Sequence, residues 1–560
     1  MRLVVVSKVS PLLRQVEAIL ELDRSPFMQS IIRPNPHHFW SRKGALNPAV
    51  ESRYNKDQAG VISSALLAMK SPGKETRIVI LHGPPGTGKT RTLLGIVQEI
   101  IRNCENQRLL VVAPSNTAVD EIGRRLLIAR AEQSRAGEPV DSLLKIVRVG
   151  QEHMIHADVR GIWLEELVQK NIQKELREKT QEFDHEIRTK QAQVSQCQQK
   201  IESLKSCTYP DFRNIRRAEF EIRHLQTEIL RLTEKRRTFV DEATKQNRNH
   251  YERKIVLLQK AHIVLSTINS CRSRLLEEAF GRNSSHSFTC VIADEATQCT
   301  EVELLLALQY RANRLILVGD PHQLPATVLS REAVEFNFQQ SLFERFYSYL
   351  KQSANSQPIF LLKEQCRMHS EICSFPSRYF YEGKLWPTRE LDASYASFPL
   401  IPYLVFNVAN SPEITEGSTS WMNHGEAQFV ALLCGVIADV CGSGASVGVI
   451  TPYQAQKNLI SAKLGANSRA DVNTIDGFQG QERDVVVLSC VRAYHPKGSI
   501  GFVADARRLN VAITRARKAL FICGHLQSLE DSAEWAALIQ DGVTRNKVRM
   551  VLPDTSHAAT

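Results

Sequence analysis

The chain has 560 residues, of which 43% are hydrophobic and 23% charged, and its formal net charge at pH 7 is +11. At about 150 residues per domain, this length exceeds a single small binding module, and the apolar fraction excludes a largely disordered chain. No apolar run approaches the roughly eighteen residues of a membrane span, and the first residues lack a secretory signal pattern, so we predict no membrane partner. The net charge suits a polyanionic partner.

Short apolar runs that end in glycine or polar residues recur in two parts of the chain. In order they are Ile78 to Leu81, Leu109 to Ala113, Val291 to Ala293 and Leu315 to Val318, then Gly448 to Ile450, Val485 to Leu488 and Leu520 to Cys523. Strands that are buried on both faces of a parallel sheet have this pattern. The sequence therefore predicts two α/β domains in tandem.

A glycine-rich motif follows the first predicted strand and precedes a helical pattern. Its residues are Gly83, Pro84, Pro85, Gly86, Thr87, Gly88, Lys89 and Thr90. In such a loop the backbone N–H groups surround phosphate, the lysine supplies charge to the β and γ oxygens, and the final hydroxyl ligates Mg²⁺. We predict nucleotide binding here rather than an ordinary glycine-rich turn. Upstream, the amide of Gln58 can pair with adenine, although that residue alone would more often lie on the surface.

Residues 170–260 differ from both α/β regions. They contain 21 Lys or Arg and 14 Asp or Glu, so +7 of the net charge lies here. Apolar residues recur at helical steps at Leu176, Phe183, Ile187, Val194, Ile201 and Leu204, then at Ile222, Leu225, Ile229, Leu232 and Phe239. This spacing predicts two helices with narrow apolar seams, folded back at a turn over 206–211. A solvated spacer and a basic arm that touches nucleic acid both fit this hairpin.

Two adjacent carboxylates follow the strand predicted at Val291 to Ala293. Beside a phosphate loop, Asp294 would hold Mg²⁺ and Glu295 would polarise the attacking water. The other interpretation is that the pair caps the next helix. Residues 170–260 account for 91 of the 204 residues that separate Asp294 from Thr90. The remaining distance is ordinary for one α/β domain, so the hairpin is predicted to be an insertion.

Further motifs complete the series. Gln323 lies in Leu317 to Pro325, after another predicted strand, where it can sense the terminal phosphate. Three motifs fall in the second α/β domain, at Gln365 to His369, Asp476 to Glu482 and Arg507 to Arg517. In their order and in their residues, these motifs resemble the motifs of the superfamily 1 helicases, specifically the senataxin-like members of the Upf-like group. The resemblance covers Tyr54 to His525, and the phrases Ala113 to Asp120, Phe375 to Ser377 and Gly498 to Phe502 strengthen it.

The resemblance implies two tandem RecA-like P-loop NTPase domains that bind ATP and Mg²⁺ between them, with the hairpin as a prong inserted in the first. The residues it assigns to the nucleotide, beside those of the glycine-rich loop and Gln58, are Lys89, Asp294, Glu295, Gln323, Arg367, Arg515, Gly480 and Glu482. The two arginines would reach the γ-phosphate from the second domain when the cleft closes. Gly480 would contact phosphate and Glu482 the ribose. Without the surrounding motifs, surface ion pairs would be the favoured role of both arginines.

Contacts with nucleic acid are also implied by the resemblance. The matching positions are Ser115, Asn116, Thr117, Thr267, Pro452, Tyr453 and Thr474. Small hydroxyls, amides and N–H groups at loop ends suit phosphate contacts that ignore base sequence, and a tyrosine can stack on a base. A helix-capping or turn role is equally consistent with any one of these residues.

The motifs divide the chain into predicted segments. These are 1–53 ahead of the core, 54–169 and 261–350 as the two parts of the first domain, 170–260 as the hairpin, 351–545 as the second domain and 546–560 as a tail. The Upf-like group places a small β-barrel before the Gln58 position, and 1–53 is too short to hold it whole, so we expect a shortened chain. Cys366 stands at the group's usual tyrosine position, which leaves the nucleotide base without that stacking ring.

The resemblance implies an ATP-driven helicase or translocase, moving 5′ to 3′ on single-stranded RNA or DNA and on RNA–DNA hybrids. The alternative is an ATP-gated nucleic-acid clamp or scaffold that unwinds little. Phosphate contacts occur on all these strands, so the motifs select none of them. Twelve cysteines without Cys-x-x-Cys spacing favour free thiols in a reducing compartment. We expect a monomer, and the resemblance favours the nucleus.

Overall fold

The computed structural model describes residues 9–551, apart from gaps at 42–43, 46, 74, 136–143, 207–210, 246, 354–357, 410, 417–419, 466–467 and 495–499. Most of the predicted turn at 206–211, Gly498, Ser499 and positions 552–560 of the expected tail therefore lie outside the described residues. The chain divides into two compact units. The first comprises Met1–Leu126, Ser266–Arg272 and Ser287–Thr560, and the second comprises Leu127–Leu265 and Ser273–His286.

Strands and helices alternate through much of the chain. The strands are β1 (Arg77–His82), β2 (Leu109–Ala113), β3 (Ile146–Arg148), β4 (Ile263–Thr267), β5 (Cys290–Ala293), β6 (Arg314–Gly319), β7 (Ile359–Leu361), β8 (Glu364–Gln365), β9 (Trp386–Pro387), β10 (Tyr403–Val408), β11 (Ile414–Glu416), β12 (Ser420–Met422), β13 (Val447–Thr451), β14 (Asp471–Thr474), β15 (Arg483–Ser489), β16 (Ala516–Gly524) and β17 (Val548–Val551). The α-helices are α1 (Ser10–Leu20), α2 (Met28–Ile32), α3 (Pro48–Glu51), α4 (Lys56–Lys70), α5 (Lys89–Asn103), α6 (Asn116–Arg135), α7 (Leu164–Lys205), α8 (Phe212–Lys245), α9 (Asn247–Lys260), α10 (Arg274–Phe280), α11 (Glu301–Leu308), α12 (Arg331–Glu335), α13 (Leu342–Gln352), α14 (Ser370–Phe380), α15 (Leu391–Tyr395), α16 (His424–Cys441), α17 (Gln454–Leu464), α18 (Ala506–Ile513), α19 (Leu526–Leu529) and α20 (Ala533–Thr544).

A parallel sheet in the first unit contains, in order, β2, β5, β6, β1 and β7. Every residue of β2, β5 and β6 is buried, as expected for strands covered on both faces. The first four predicted runs are all strands of this sheet. Strand β7 lies beyond the expected domain boundary at residue 350 and pairs with β1, so the first sheet extends to Leu361. No predicted run covers this strand, although all three of its residues are apolar.

A second parallel sheet contains, in order, β14, β13, β15, β16, β10 and β17. Alternate residues of β15 enter different cores: Val486 and Leu488 pack with residues of α18 and α20, whereas Val485 and Val487 pack with residues of α16. This is the two-residue period of a strand that is covered on both faces. The three later predicted runs lie in β13, β15 and β16. The predicted runs do not include β10, although Tyr403 to Phe406 are apolar, or β14 and β17, in which polar or charged residues interrupt the apolar ones.

Helix α16 is long and apolar enough, by length and composition, to cross a membrane, with a mean hydropathy of 1.3 over 18 residues. Ala427, Val430 and Ile437 on this helix pack in the core of the second sheet. Glu426, in its first turn, is also buried. Leu432, Val436 and Val440 on the same helix are exposed, so α16 covers the second sheet with one face only.

The second unit holds the long helices α7 and α8, followed by α9, and a parallel pair formed by β3 and β4. The predicted seam residues of α7 and α8 are buried or half-buried, and the rings of Phe183 and Phe239 lie with centroids 6.3 Å apart. Helix α9 pairs with α7 through Arg253 and Glu175, at 2.7 Å. The sequence analysis does not anticipate this separate third helix. A role of α7 and α8 as a prong stays a prediction.

Candidate nucleotide and nucleic-acid sites

The loop from Gly83 to Gly88 joins the carboxyl end of β1 to the amino end of α5. Gly86 and Gly88 have φ angles of 76° and 79°, in the left-handed region that favours glycine. A Cβ atom added at Gly86 would lie 2.7 Å from Cβ of Arg367, and one added at Gly83 would lie 2.1 Å from Cγ of Lys89. These positions have room only for glycine, so the loop can bring backbone N–H groups close to a phosphate at the start of a helix.

Lys89, the first residue of α5, points back across this loop. Its Nζ donates a hydrogen bond to the carbonyl of Gly83 at 3.0 Å and lies 3.9 Å from Oε1 of Glu295. Glu295 follows β5 and has a φ angle of 48°, which is uncommon for a residue other than glycine. The predicted lysine and carboxylate therefore meet at the carboxyl edge of the first sheet.

Asp294 is 3% exposed at the end of β5. Burial and then the neighbouring Glu295 raise the pKa of Asp294 to about 7, against the opposing charge of Lys89. A nearby cation would stabilise the ionised form of this carboxylate, and carboxylate and hydroxyl oxygens are suitable ligands for Mg²⁺. Asp294 and Thr90 would hold that ion, with the phosphates of the nucleotide in the glycine loop. The residues present thus fit Mg²⁺ and ATP.

Gln58 is buried and braces the phosphate loop. Its Nε2 donates to the carbonyl of Thr87 at 2.9 Å, and a Cβ added at Gly88 would lie 2.7 Å from that nitrogen. The backbone N–H of Gln58 donates to Oδ1 of Asn55 at 3.0 Å, which caps α4 and fixes its start. A surface position for Gln58 is therefore wrong, while adenine recognition stays a prediction.

Gln323 lies in the loop that follows β6. Its Nε2 donates to Oδ2 of Asp320 at 2.7 Å, and its Oε1 accepts a hydrogen bond from Nη2 of Arg515 at 3.2 Å. Arg515 is 2% exposed and directly precedes β16 of the second sheet. Burial and then the nearby Arg367 lower the pKa of Arg515 to about 9. A surface ion pair is therefore the wrong role for Arg515, which joins the loops of the two sheets.

Arg367 lies against the phosphate loop. The backbone N–H of Cys366 donates to the carbonyl of Gly86 at 2.9 Å, and Nε of Arg367 lies 2.6 Å from Oε2 of Glu482. The predicted finger and the predicted ribose ligand therefore contact each other. Gly480, two residues before Glu482, has a φ angle of 77° and open space around the position of a Cβ atom. The thiol of Cys366 is exposed beside these residues.

Known families and proteins match the same elements. A family described as an AAA domain matches residues 53–331, and a second, also described as an AAA domain, matches residues 338–527. Probable helicase senataxin of Homo sapiens is 33% identical, over 97% of this chain and 21% of its own length. Helicase SEN1 of Saccharomyces cerevisiae is 32% identical, over 83% of this chain and 22% of its own. ATP-dependent helicase upf1 of Schizosaccharomyces pombe is 30% identical, over 81% of this chain and 44% of its own.

This chain belongs to the superfamily 1 helicases, in the Upf-like group. It spans about a fifth of the length of senataxin and of the Saccharomyces helicase.

In this superfamily 1 chain, the residues predicted to touch nucleic acid lie at or just beyond the carboxyl ends of strands. Ser115, Asn116 and Thr117 follow β2, Thr267 ends β4, Pro452 and Tyr453 follow β13, and Thr474 ends β14. The exposed Ser115 also caps α6, because its Oγ accepts the N–H of Ala118 at 3.2 Å. The Oγ1 of Thr474 accepts the N–H of Gly477 at 3.2 Å. Both hydroxyl groups therefore already accept a hydrogen bond from a nearby backbone N–H, and contact with nucleic acid stays a prediction.

Two of these residues are buried. Tyr453 is 8% exposed, so its ring is not open to a base in this conformation. The hydroxyl of Thr267 donates to Oγ of Ser270 at 2.8 Å. Contact with a strand at either position would require a local rearrangement.

A group of buried polar residues that the sequence did not predict lies behind Gln323. Asp320 is fully buried and accepts hydrogen bonds from Nε2 of His82 at 3.1 Å and from the hydroxyl of Tyr381 at 2.8 Å. Nδ2 of Asn510 donates to that hydroxyl at 2.7 Å. Asp320 and Asn510 lie inside motifs that the helicase resemblance already marks. His82 ends a strand and Tyr381 follows a helix, and neither position carries a sequence signal.

Proposed function

We propose that this chain is an ATP-dependent helicase or translocase that moves from 5′ to 3′ on single-stranded RNA or DNA and opens duplexes, including RNA–DNA hybrids. The observation that carries the proposal is the hydrogen bond between Gln323, which follows a strand of the first sheet, and Arg515, which precedes a strand of the second. Membership of the superfamily 1 helicases supports the same activity.

Four residues of the candidate site have a role in the proposed hydrolysis. Thr90 and Asp294 would hold Mg²⁺, which when bound would supply positive charge to the phosphate oxygens. Glu295 orients the attacking water from its position 3.9 Å from Nζ of Lys89. Arg515 stabilises the charge that develops on the γ-phosphate, a contribution of about 10³ to 10⁵ in rate for a positioned arginine.

Strand movement follows from the location of these groups. Because Arg515 belongs to the second sheet and Gln323 to the first, hydrolysis requires both loops to be in contact. A nucleic-acid strand that contacts both sheets is gripped differently when the loops approach and separate, so each ATP cycle shifts it. ATP turnover that depends on a bound strand is the expected signature.

Turnover with and without single-stranded RNA or DNA tests this proposal, in the native chain and in Lys89→Ala and Glu295→Gln. We expect single-stranded nucleic acid to stimulate ATP turnover by the native chain. In its presence, both variants should turn over ATP about 10³-fold more slowly than the native chain. Lys89→Ala should also weaken ATP binding, whereas Glu295→Gln should retain it. Turnover that no strand stimulates would favour the ATP-gated clamp instead.

Unwinding distinguishes among the substrates. Matched RNA, DNA and hybrid duplexes with a 5′ or a 3′ overhang should be opened only from the 5′ overhang, since that is the polarity of 5′ to 3′ movement. Opening from the 3′ overhang would contradict the direction while leaving the ATPase intact.

We also propose that the protein acts as a monomer in the nucleus, as expected from its resemblance to senataxin-like helicases. Light scattering at working concentration and the location of a fluorescent fusion test the two statements separately. A stable dimer would contradict the first, and exclusion from the nucleus would contradict the second.

A further inference from the structure

A tyrosine outside the helicase motifs bridges the two halves of the first unit. Tyr381 follows α14, whereas Asp320 follows β6 and Asn510 lies in α18. The hydroxyl of Tyr381 donates to Oδ2 of Asp320 at 2.8 Å and accepts from Nδ2 of Asn510 at 2.7 Å. Both directions are fixed, because a carboxylate only accepts and an amide nitrogen only donates. The hydroxyl of Tyr381 therefore donates one hydrogen bond and accepts another at the same time.

Asp320 is a rigid anchor for this bridge. Besides Tyr381, it accepts from Nε2 of His82 at 3.1 Å, from the backbone N–H of His322 at 3.1 Å and from Nε2 of Gln323 at 2.7 Å. Burial alone would raise the pKa of Asp320, but the hydrogen bond and charge of His82 hold that pKa well below its usual value. An ionised, fully buried carboxylate with four donors has little freedom to move.

The same contacts continue to the arginine. Oε1 of Gln323 accepts from Nη2 of Arg515 at 3.2 Å, and Nε of Arg515 donates to the carbonyl of Val511 at 2.9 Å. Val511 follows Asn510 in α18. We call this closed path of hydrogen bonds and backbone the Asp320 ring, formed by Asp320, Gln323, Arg515, Val511, Asn510 and Tyr381.

We propose that Tyr381 is a positioning residue for ATP hydrolysis, which sets the orientation of Gln323 through Asp320 and that of Arg515 through Asn510. The proposal rests on the proposed ATPase activity and adds a residue that no helicase motif contains. Loss of the hydroxyl removes one donor from Asp320 and one acceptor from Asn510, both in a buried site where such losses are costly. Small displacements of catalytic groups lower the rate far more than they lower substrate binding.

The test is Tyr381→Phe in the full chain, because phenylalanine retains the ring and lacks only the hydroxyl. We expect the strand-stimulated kcat to fall about tenfold while KM for ATP stays within about twofold. The matched control is Tyr347→Phe. The ring of Tyr347 contacts His82, with centroids 5.2 Å apart, but within the described residues its hydroxyl is not bonded to Asp320. This control should keep the native kcat.

A combined substitution separates positioning from a general loss of packing. If Tyr381 acts through Gln323 and Arg515, then Tyr381→Phe added to the pair Gln323→Ala and Arg515→Ala should lower the single-turnover rate no further. Independent, multiplying losses would overturn the proposal, as would a native kcat in Tyr381→Phe. Asn510→Ala removes another member of the Asp320 ring and should reproduce the loss in kcat at unchanged KM. This second variant tests the proposal if Tyr381→Phe folds poorly.

The outcomes also distinguish the two proposals. A native chain with strand-stimulated turnover and an unaffected Tyr381→Phe variant would overturn only the positioning role. A native chain without any turnover would overturn both the proposed function and this role.

Discussion

The two parallel sheets present opposite edges to the candidate nucleotide site. In the first sheet, Lys89, Glu295 and Gln323 come from loops that follow strands. In the second, Glu482 and Arg515 directly precede β15 and β16, at the amino ends of those strands. The first sheet thus binds with its carboxyl edge, as open α/β sheets commonly do, while the second completes its neighbour's site with its amino edge. Tyr453 and Thr474, which the family resemblance assigns to nucleic acid, lie at the carboxyl edge of the second sheet.

The largest expected effect on ATP hydrolysis follows from removing Arg515, which lies at the amino edge of the second sheet. Arg515→Ala should lower kcat by about 10³ or more, because a buried guanidinium no longer faces the developing charge. ATP affinity should change only a few-fold, since Arg515 contacts Gln323 and not the phosphate loop. Single-turnover hydrolysis and equilibrium binding of ATP measure the two quantities.

Arg515→Lys is the control, because it retains the charge without the planar fork and should give an intermediate rate. A large loss of ATP binding in Arg515→Ala would contradict the division of roles between the two edges.

The carboxyl edge of the second sheet carries a buried acid, and this gives it a pH dependence of its own. Glu426 accepts hydrogen bonds from Oγ of Ser489 at 2.5 Å and from the N–H of Val491 at 2.9 Å, and burial raises its pKa from 4.5 to about 7. The folded state therefore binds this proton more tightly than the unfolded state. The free energy of unfolding should fall by about 3 kcal/mol as the pH rises from 4.5 to 7.

Denaturant unfolding at several pH values across that window measures this loss. Glu426→Gln should reduce the slope, because glutamine has no proton to lose, and Asp294, whose pKa is also raised to about 7, should account for a slope of the same sign that remains. An unchanged slope in the variant would assign the pH dependence to other groups.

A smaller effect is expected at the carboxyl edge of the first sheet. Ser115→Asp should keep the cap of α6, because aspartate caps helices as well as serine does. It places a negative charge at an exposed position, where we predict contact with single-stranded nucleic acid. Affinity for a single-stranded oligonucleotide should fall about tenfold at low salt and less at high salt. Fluorescence anisotropy at two salt concentrations measures the change.

Ser115→Ala provides the matched comparison. It loses the cap, with about 1 kcal/mol of stability, and should change affinity little. Native affinity in both variants would leave Ser115 as a capping residue only.

The sequence predicts the centres of both sheets because a strand covered on two faces must be apolar throughout. It misses β14 and β17, in which polar or charged residues interrupt the apolar ones, and it also misses β4, β7 and β10, although each contains a short apolar run. The position of Glu295 near Lys89 follows from topology, since they come after the carboxyl ends of β5 and β1, which lie on either side of β6 in one parallel sheet. The contact between Arg515 and Gln323 joins residues 192 positions apart, next to different sheets. The sequence does not predict this contact, and the expectation is only that each residue reaches the terminal phosphate. Tyr381 could not be found, because a tyrosine after a helix has no pattern of its own.

The backbone of Glu295 has a consequence for engineering this protein. A left-handed conformation costs a residue with a side chain about 1 kcal/mol relative to glycine, and Glu295 adopts it with a φ angle of 48°. A Glu295→Gly chain should therefore withstand heat better than the natural one and hydrolyse no ATP. Selection for thermal robustness alone would discard the acid that the reaction needs, so any stabilised version of this molecule has to leave that position untouched.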